Sequence, residues 1–415
     1  MLTVSSLDIR TRIRMYPLVV REEEGEYVIG RMDTGEFVAL PELGKQAVEL
    51  LGSDRTLAEV ESLLEQEHGA AVDLAEFVEQ LIGLGFVESV NGARLDRGEA
   101  FRPSLSWLRA EHVRWVFTWP VAAGYAALLT TAAVMLITNP DLLPNYRNFF
   151  WMPRTSIVIA ANTAMFLGVM AVHEFAHLAA ARSREVPARI TFGTRLYSLV
   201  AQTEVPALWA LPRRQRYRVY LAGMASDLAL LALALIVANM VPTLRGLFGA
   251  LAVILLIGLA SQLQLYTRTD LYLVLADLAK AKNLYQDAAV HARARVRSVW
   301  NRLNRLNRAS QEQRPDALAS LSDRERSVVR AYVPFMITGS ALALGLYAWY
   351  GLPILYHTLL QGAGALRSGL AAGRITDITD GILTLGVEAG LQIVFIRQLL
   401  RGRRDRIRRL RERLG

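Results

Sequence analysis

Six long stretches of this chain are free of charge apart from Glu388: residues 115–137, 156–172, 228–244, 246–265, 331–356 and 381–396, approximately. About 20 apolar residues suffice for a helix to cross a bilayer. Backbone amides cannot be left unpaired in hydrocarbon, so each run is expected to be a helix. The expected fold class is therefore a polytopic α-helical membrane protein with about six transmembrane helices.

The flanking charge is unevenly divided. Residues 1–90 hold seven Lys/Arg against eighteen Asp/Glu, a balance of −11 in a chain whose net charge is +9. An acidic soluble domain attached to a basic membrane body accounts for this split. The positive charge sits beside the apolar runs, as in Arg213-Arg214-Gln215-Arg216 and the tail from Arg397 to Arg413. Positive-inside topology explains that placement better than nucleic-acid binding does. With the tail in the cytoplasm, six spans put both termini there. Residues 190–211 are too polar and too short for two spans, and are expected to form a re-entrant strand or loop.

No segment in the first hundred residues reads as a cleavable signal, because that stretch is polar and patterned. The chain has no cysteine. That excludes disulfides, thiolate zinc ligands and cysteine nucleophiles.

Three strands are expected early: Ile13 to Val20, Tyr27 to Met32 and Glu36 to Leu40, the last two joined by the tight turn Asp33-Thr34-Gly35. Three helices follow, beginning near Pro41, at the capping box Thr56-Leu57-Ala58-Glu59, and at Asp73 with Glu76 three residues on. Gly85 ends the third, and Phe86 to Val90 returns as a strand. The expectation is a winged-helix-like α+β domain over residues 1–95. A membrane core over 96–280 follows it, then a basic linker over 281–330, and a C-terminal pair of spans with a basic tail over 331–415. The linker, with Asn301-Arg302-Leu303-Asn304-Arg305-Leu306, suits either an anionic membrane surface or a solvated helix.

Chemistry enters at Val169–Ala181, "VMAVHEFAHLAAA". On a helix, residues i and i+4 share a face. His173 and His177 can then each offer an imidazole nitrogen to one Zn²⁺, with Glu174 beside them as general base. Two hydrogen-bonded core histidines are the plainer alternative. Ionisable groups in an apolar span are costly and usually functional, which favours the metal. A catalytic zinc wants a third protein ligand and an open position. Asp270 is the first choice, since it and HEFAH both lie near the cytoplasmic ends of their spans. Asp227 is the runner-up and Glu204 is weaker; either could instead support a metal ligand or position the substrate, and Glu388 reads as an interior hydrogen-bonded group.

HEFAH at the end of a span, an intervening re-entrant segment and a later aspartate together resemble the site-2 protease family of intramembrane zinc metalloproteases. "TDLYLVLADLAKAKNLYQDA" (Thr269 to Ala288) is similar to the peptide-maturing branch, which typically reads Asp-Gly-Tyr, Leu-x-Asp-Leu and then Asn-Leu. The resemblance covers roughly residues 155–290. It implies His173, His177 and Asp270 as zinc ligands, Glu174 as base, and a bacterial cytoplasmic membrane. Two departures stand out. Leu271 replaces a glycine, and Met224 and Asp227 replace the proline and asparagine of Gly-Pro-x-x-Asn, the positions where substrate or oxyanion would be held.

"YVIGRMDTGEFVALPELGKQAVELL" (Tyr27 to Leu51) resembles the PqqD-like recognition element of ribosomally made, modified peptides. The resemblance implies that a leader peptide adds as a strand to the strand at Glu36–Leu40 and lies against the third helix. The −11 balance argues against DNA. The expected partners are thus a precursor peptide and membrane lipid, with no nucleic acid. Together these features imply leader removal during peptide maturation of the daptide-like kind. The alternatives are regulated intramembrane proteolysis of a signalling protein, and a non-hydrolytic export or immunity partner.

Overall fold

A computed structural model describes residues 8–69, 73–95, 100–144, 148, 151–152, 154–195, 198–264, 269–280, 284–292, 323–346, 348 and 352–412. Most of the linker, including Asn301–Leu306, and the side chains of the arginine-rich tail beyond residue 401 lie outside the described residues. The molecule is predominantly helical with a small N-terminal sheet region, an architecture compatible with a polytopic helical membrane protein. Backbone contacts divide it into two units. The first comprises Met1–Trp115, Leu178–Ile190 and Thr203–Val219, and the second Val116–His177, Thr191–Gln202 and Tyr220–Gly415.

In the first unit, the apolar residues of short strands and helices meet in one core. The strands are β1 (Ile13–Met15), β2 (Val19–Glu23), β3 (Glu26–Gly30), β4 (Phe37–Leu40), β5 (Val87–Val90) and β6 (Ala93–Arg94). The helices are α1 (Glu42–Leu51), α2 (Leu57–His68) and α3 (Leu74–Gly83), followed later by a single turn, α4 (Ala110–Val113). Ile29, Leu51, Leu64, Leu74, Leu81 and Phe86 are buried in that core. The Thr56/Glu59 capping box is formed, and the Asp73 side chain accepts from Glu76 N–H. Each satisfies a helix-end donor that would otherwise lack a partner.

The strand expected over Ile13–Val20 is two strands. Pro17 lies between them and has no N–H to give a ladder. The sheets therefore run β1-β5-β6 and β2-β3-β4. A further tight turn joins β2 to β3. Glu24 and Gly25 have φ of 60° and 83°, the pair of left-handed residues that a two-residue hairpin requires and that glycine makes accessible.

The same unit contains a 3-10 turn, Pro206–Ala210, packed against β2, β3 and β4. The side chain of Arg216 is fully buried. It pairs with Glu23, donates to the Leu211 carbonyl at 2.9 Å and lies over the Trp209 ring. Arg213 reaches Glu23 at 2.9 Å. A buried guanidinium is tolerable only with such partners. The segment expected as a re-entrant strand or loop is a two-stranded hairpin, β7 (Arg189–Arg195) with β8 (Ser198–Glu204), leading into that 3-10 turn.

The remaining helices are α5 (Trp119–Thr138), α6 (Thr155–Arg182), α7 (Arg213–Met240), α8 (Arg245–Gln262), α9 (Asp270–Leu278), α10 (Asp323–Leu346), α11 (Leu352–Ala372) and α12 (Ile375–Glu412). Among the described residues five segments are long and apolar enough to cross a membrane: Trp119–Thr138, Ser156–Arg182, Arg213–Met240, Pro242–Gln262 and Ile375–Arg397. In α5 only Ala132 is buried, so its apolar surface is left exposed by the rest of the described chain. The sixth expected run, 331–356, is shared between α10 and the start of α11. Helix α7 starts well before the expected apolar run because its first turns are basic. At about 1.5 Å per residue its 28 residues reach about 42 Å, longer than a hydrocarbon core. Near the start of α6, Ser156 N–H donates to Asp380 of α12 at 3.1 Å.

Candidate metal centre

Helix α6 places His173 and His177 one turn apart on one face, with their ring centroids 4.9 Å apart. The third group arrives at the first residue of α9, Asp270, where the helix N-terminus favours an ionised carboxylate. Gln262, the last residue of α8, ties this point down. Its carbonyl accepts from Thr269 Oγ1 at 2.8 Å, and its side-chain oxygen accepts from Asp270 N–H at 3.0 Å.

His173 Nε2 lies 2.9 Å from Asp270 Oδ2, His177 Nε2 lies 3.2 Å from the same oxygen, and the two Nε2 atoms are 3.2 Å apart. These residues form a group able to hold a metal ion, with ligand atoms within 4.8 Å of one another. The triangle has the right scale. Donors at about 2.0–2.1 Å from a tetrahedrally held zinc stand about 3.3 Å from each other. The donor set, two imidazoles and a carboxylate, is one that zinc accepts.

Charge supports the same fit. Side-chain exposure is 11% for His173, 8% for His177, 17% for Asp270 and 5% for Asp227. Among the described residues, neither Asp227 nor Asp270 has a Lys or Arg ion-pair partner. A buried carboxylate and a second one largely withdrawn from water need compensation. Two imidazolium rings with nitrogens 3.2 Å apart would repel each other, whereas one dication compensates both acids.

Gly223 of α7 faces the two imidazoles. A Cβ at this position would come closer than 3.0 Å to Nε2 of both His173 and His177. Its absence leaves the space an ion and an open coordination position require. Gly223→Ala is accordingly expected to abolish stoichiometric zinc binding while leaving helix content unchanged, as read by metal analysis and circular dichroism. Retention of one zinc per chain would refute this role for the glycine.

Glu174, next to the first histidine, is buried. Asp227 does not join the triangle. Its Oδ2 contacts the far nitrogen of His173, Nδ1, at 2.8 Å. Glu204 pairs with Arg189 at 2.7 Å at the end of the β7–β8 hairpin, and Glu388 accepts from Gln392 at 3.3 Å on α12. Neither belongs to the metal-binding group. Two contributors escaped the sequence reading. Gly223 had a faint signal, standing four residues before Asp227. Gln262 had none, because its role depends on where α8 stops.

Chemically, the arrangement offers a dication site with two neutral ligands, one anionic ligand and an adjacent buried carboxylate. No known protein family, curated protein or solved structure matches the chain.

Proposed function

We propose that this chain is a zinc metalloprotease of the site-2 type. In this reading it binds a ribosomally made precursor through residues 1–95 and hydrolyses one peptide bond at the membrane, removing the leader. The observation that carries the reading is that Asp270, at the start of α9, converges on His173 and His177, which lie with Glu174 on a helix apolar enough to span a bilayer. Ionisable groups are rarely kept in such a helix without a task.

Zinc held by these residues would act as a Lewis acid on the scissile carbonyl and lower the pKa of water to about 7. Glu174 takes the proton of the attacking water as its oxygen bonds to the carbonyl carbon. As the C–N bond breaks, Glu174 passes that proton to the departing amine, so one carboxylate serves as base and then acid. Its burial keeps competing bulk water away from the proton.

The N-terminal domain supplies the substrate end of the proposal. β4 lies at the edge of its sheet, so one side of its backbone has no strand neighbour among the described residues. An extended peptide can pair there through main-chain hydrogen bonds. The acidic balance of residues 1–90 suits a basic or apolar leader. The test is cleavage, by the purified chain in lipid nanodiscs, of a candidate precursor peptide carrying a basic or apolar leader. A defined leader fragment is expected by mass spectrometry, and a precursor lacking its leader should lose about a hundredfold in kcat/KM, about 2.7 kcal/mol of binding. Equal rates with and without the leader would remove the recognition half of the proposal.

A further inference from the structure

We infer that Asp227 is the positioning residue for His173, fixing which imidazole nitrogen faces the metal. This rests on the metal-centre reading above and deepens it. A neutral imidazole carries one N–H and one lone pair, and the partner of one nitrogen decides the role of the other. Asp227 Oδ2 lies 2.8 Å from Nδ1 and the side chain is 5% exposed. An ionised carboxylate can only accept, so Nδ1 must hold the hydrogen. Nε2 is then left as the lone-pair atom, and it is the atom that faces Asp270 and His177.

Without Asp227 the opposite tautomer becomes available. Its Nε2–H would donate to Asp270, closing the triangle on itself with hydrogen bonds. Asp227 therefore acts against the metal-free arrangement as much as for the loaded one. The carboxylate also raises the basicity of the imidazole it holds.

The position on α7 is as informative as the contact. Gly223 and Asp227 are four residues apart on one helix face, both against His173. The first leaves room at Nε2, and the second holds Nδ1. Asp227 Oδ1 is buried and has no hydrogen-bond partner among the described residues. Such a carboxylate is kept at a cost, and the compensating charge is the ion beyond the imidazole. An acceptor-only group cannot donate to a developing oxyanion. The aspartate that stands where the site-2 pattern has asparagine therefore serves the ligand rather than the substrate carbonyl.

The experiment uses the full chain in detergent, stripped of metal, as wild type, Asp227→Ala and Asp227→Asn. Zinc affinity is read by competition with a chromophoric chelator, and the melting temperature of each metal-free protein is read alongside. Asp227→Ala should bind zinc about 10–100-fold more weakly. Asp227→Asn, which can still accept from Nδ1 but lacks the charge, should fall between. Neither metal-free variant should melt below metal-free wild type, since the uncompensated carboxylate of Asp227 costs stability when no ion is bound. Alanine binding within twofold of wild type would overturn the inference. So would an asparagine variant no better than alanine, or a loss of affinity matched by a loss of metal-free stability. If alanine prevents folding, the asparagine variant decides alone, and an affinity equal to wild type overturns the charge argument. A wild-type chain that binds no zinc would instead sink the metal-centre reading itself.

Discussion

Glu174→Gln is expected to yield a protein that holds zinc and cuts almost nothing. The substitution preserves shape at a buried position and leaves His173, His177 and Asp270 untouched. It removes only the capacity to take a proton. Loss of a positioned general base costs on the order of 10²–10⁴-fold in rate, so single-turnover cleavage of a precursor should fall by that factor. Zinc content should stay near one per chain. A variant that retains more than a tenth of wild-type turnover would exclude Glu174 as the base. A variant that loses zinc as well would show that Glu174 supports the metal rather than the proton transfer.

The second large effect concerns metal retention. Zinc binding by protein sites is worth about 10–16 kcal/mol. If the three ligands share this roughly equally, removing one forfeits about 3–5 kcal/mol, or roughly 10²–10⁴-fold in affinity. His173→Ala, His177→Ala and Asp270→Ala should therefore all emerge from a chelator wash without zinc. Asp270→Ala is the most telling, because the local backbone does not depend on its side chain. Gln262 holds Thr269 and the Asp270 N–H in any case. Asp227→Ala should need only about 10–100-fold more zinc than wild type to refill, and Asp270→Ala roughly 10²–10⁴-fold more. The reverse order would exchange the roles assigned to the two aspartates.

Local chemistry was the most legible part of the sequence. The His173/His177 spacing, the Thr56/Glu59 capping box and the Asp73 cap are each decided within four residues, where helix geometry leaves little freedom. Charge-free runs announced the apolar helices for the same reason. Features decided by tertiary contact were harder to read. The early start of α7 was hidden by its arginines, which read as a solvated flank until Glu23 and Leu211 are seen to receive Arg216. The division of Ile13–Val20 depends on β1 choosing β5 as its partner over β2, a pairing across more than 70 residues. Asp227 could be recognised as a candidate from its place in an apolar helix. Its contact with Nδ1 rather than the metal face depends on how α7 crosses α6, which no local pattern encodes.

The metal centre defines both the base and the positioning residue. Zinc K-edge X-ray absorption on the purified, membrane-extracted chain tests it most directly. About one zinc per chain is expected, with four nitrogen or oxygen neighbours at about 2.0 Å, no sulfur, and the multiple-scattering signature of two imidazoles. That signature should be lost in His173→Ala. A chain purified without zinc, or zinc in a shell lacking histidine, would contradict that assignment.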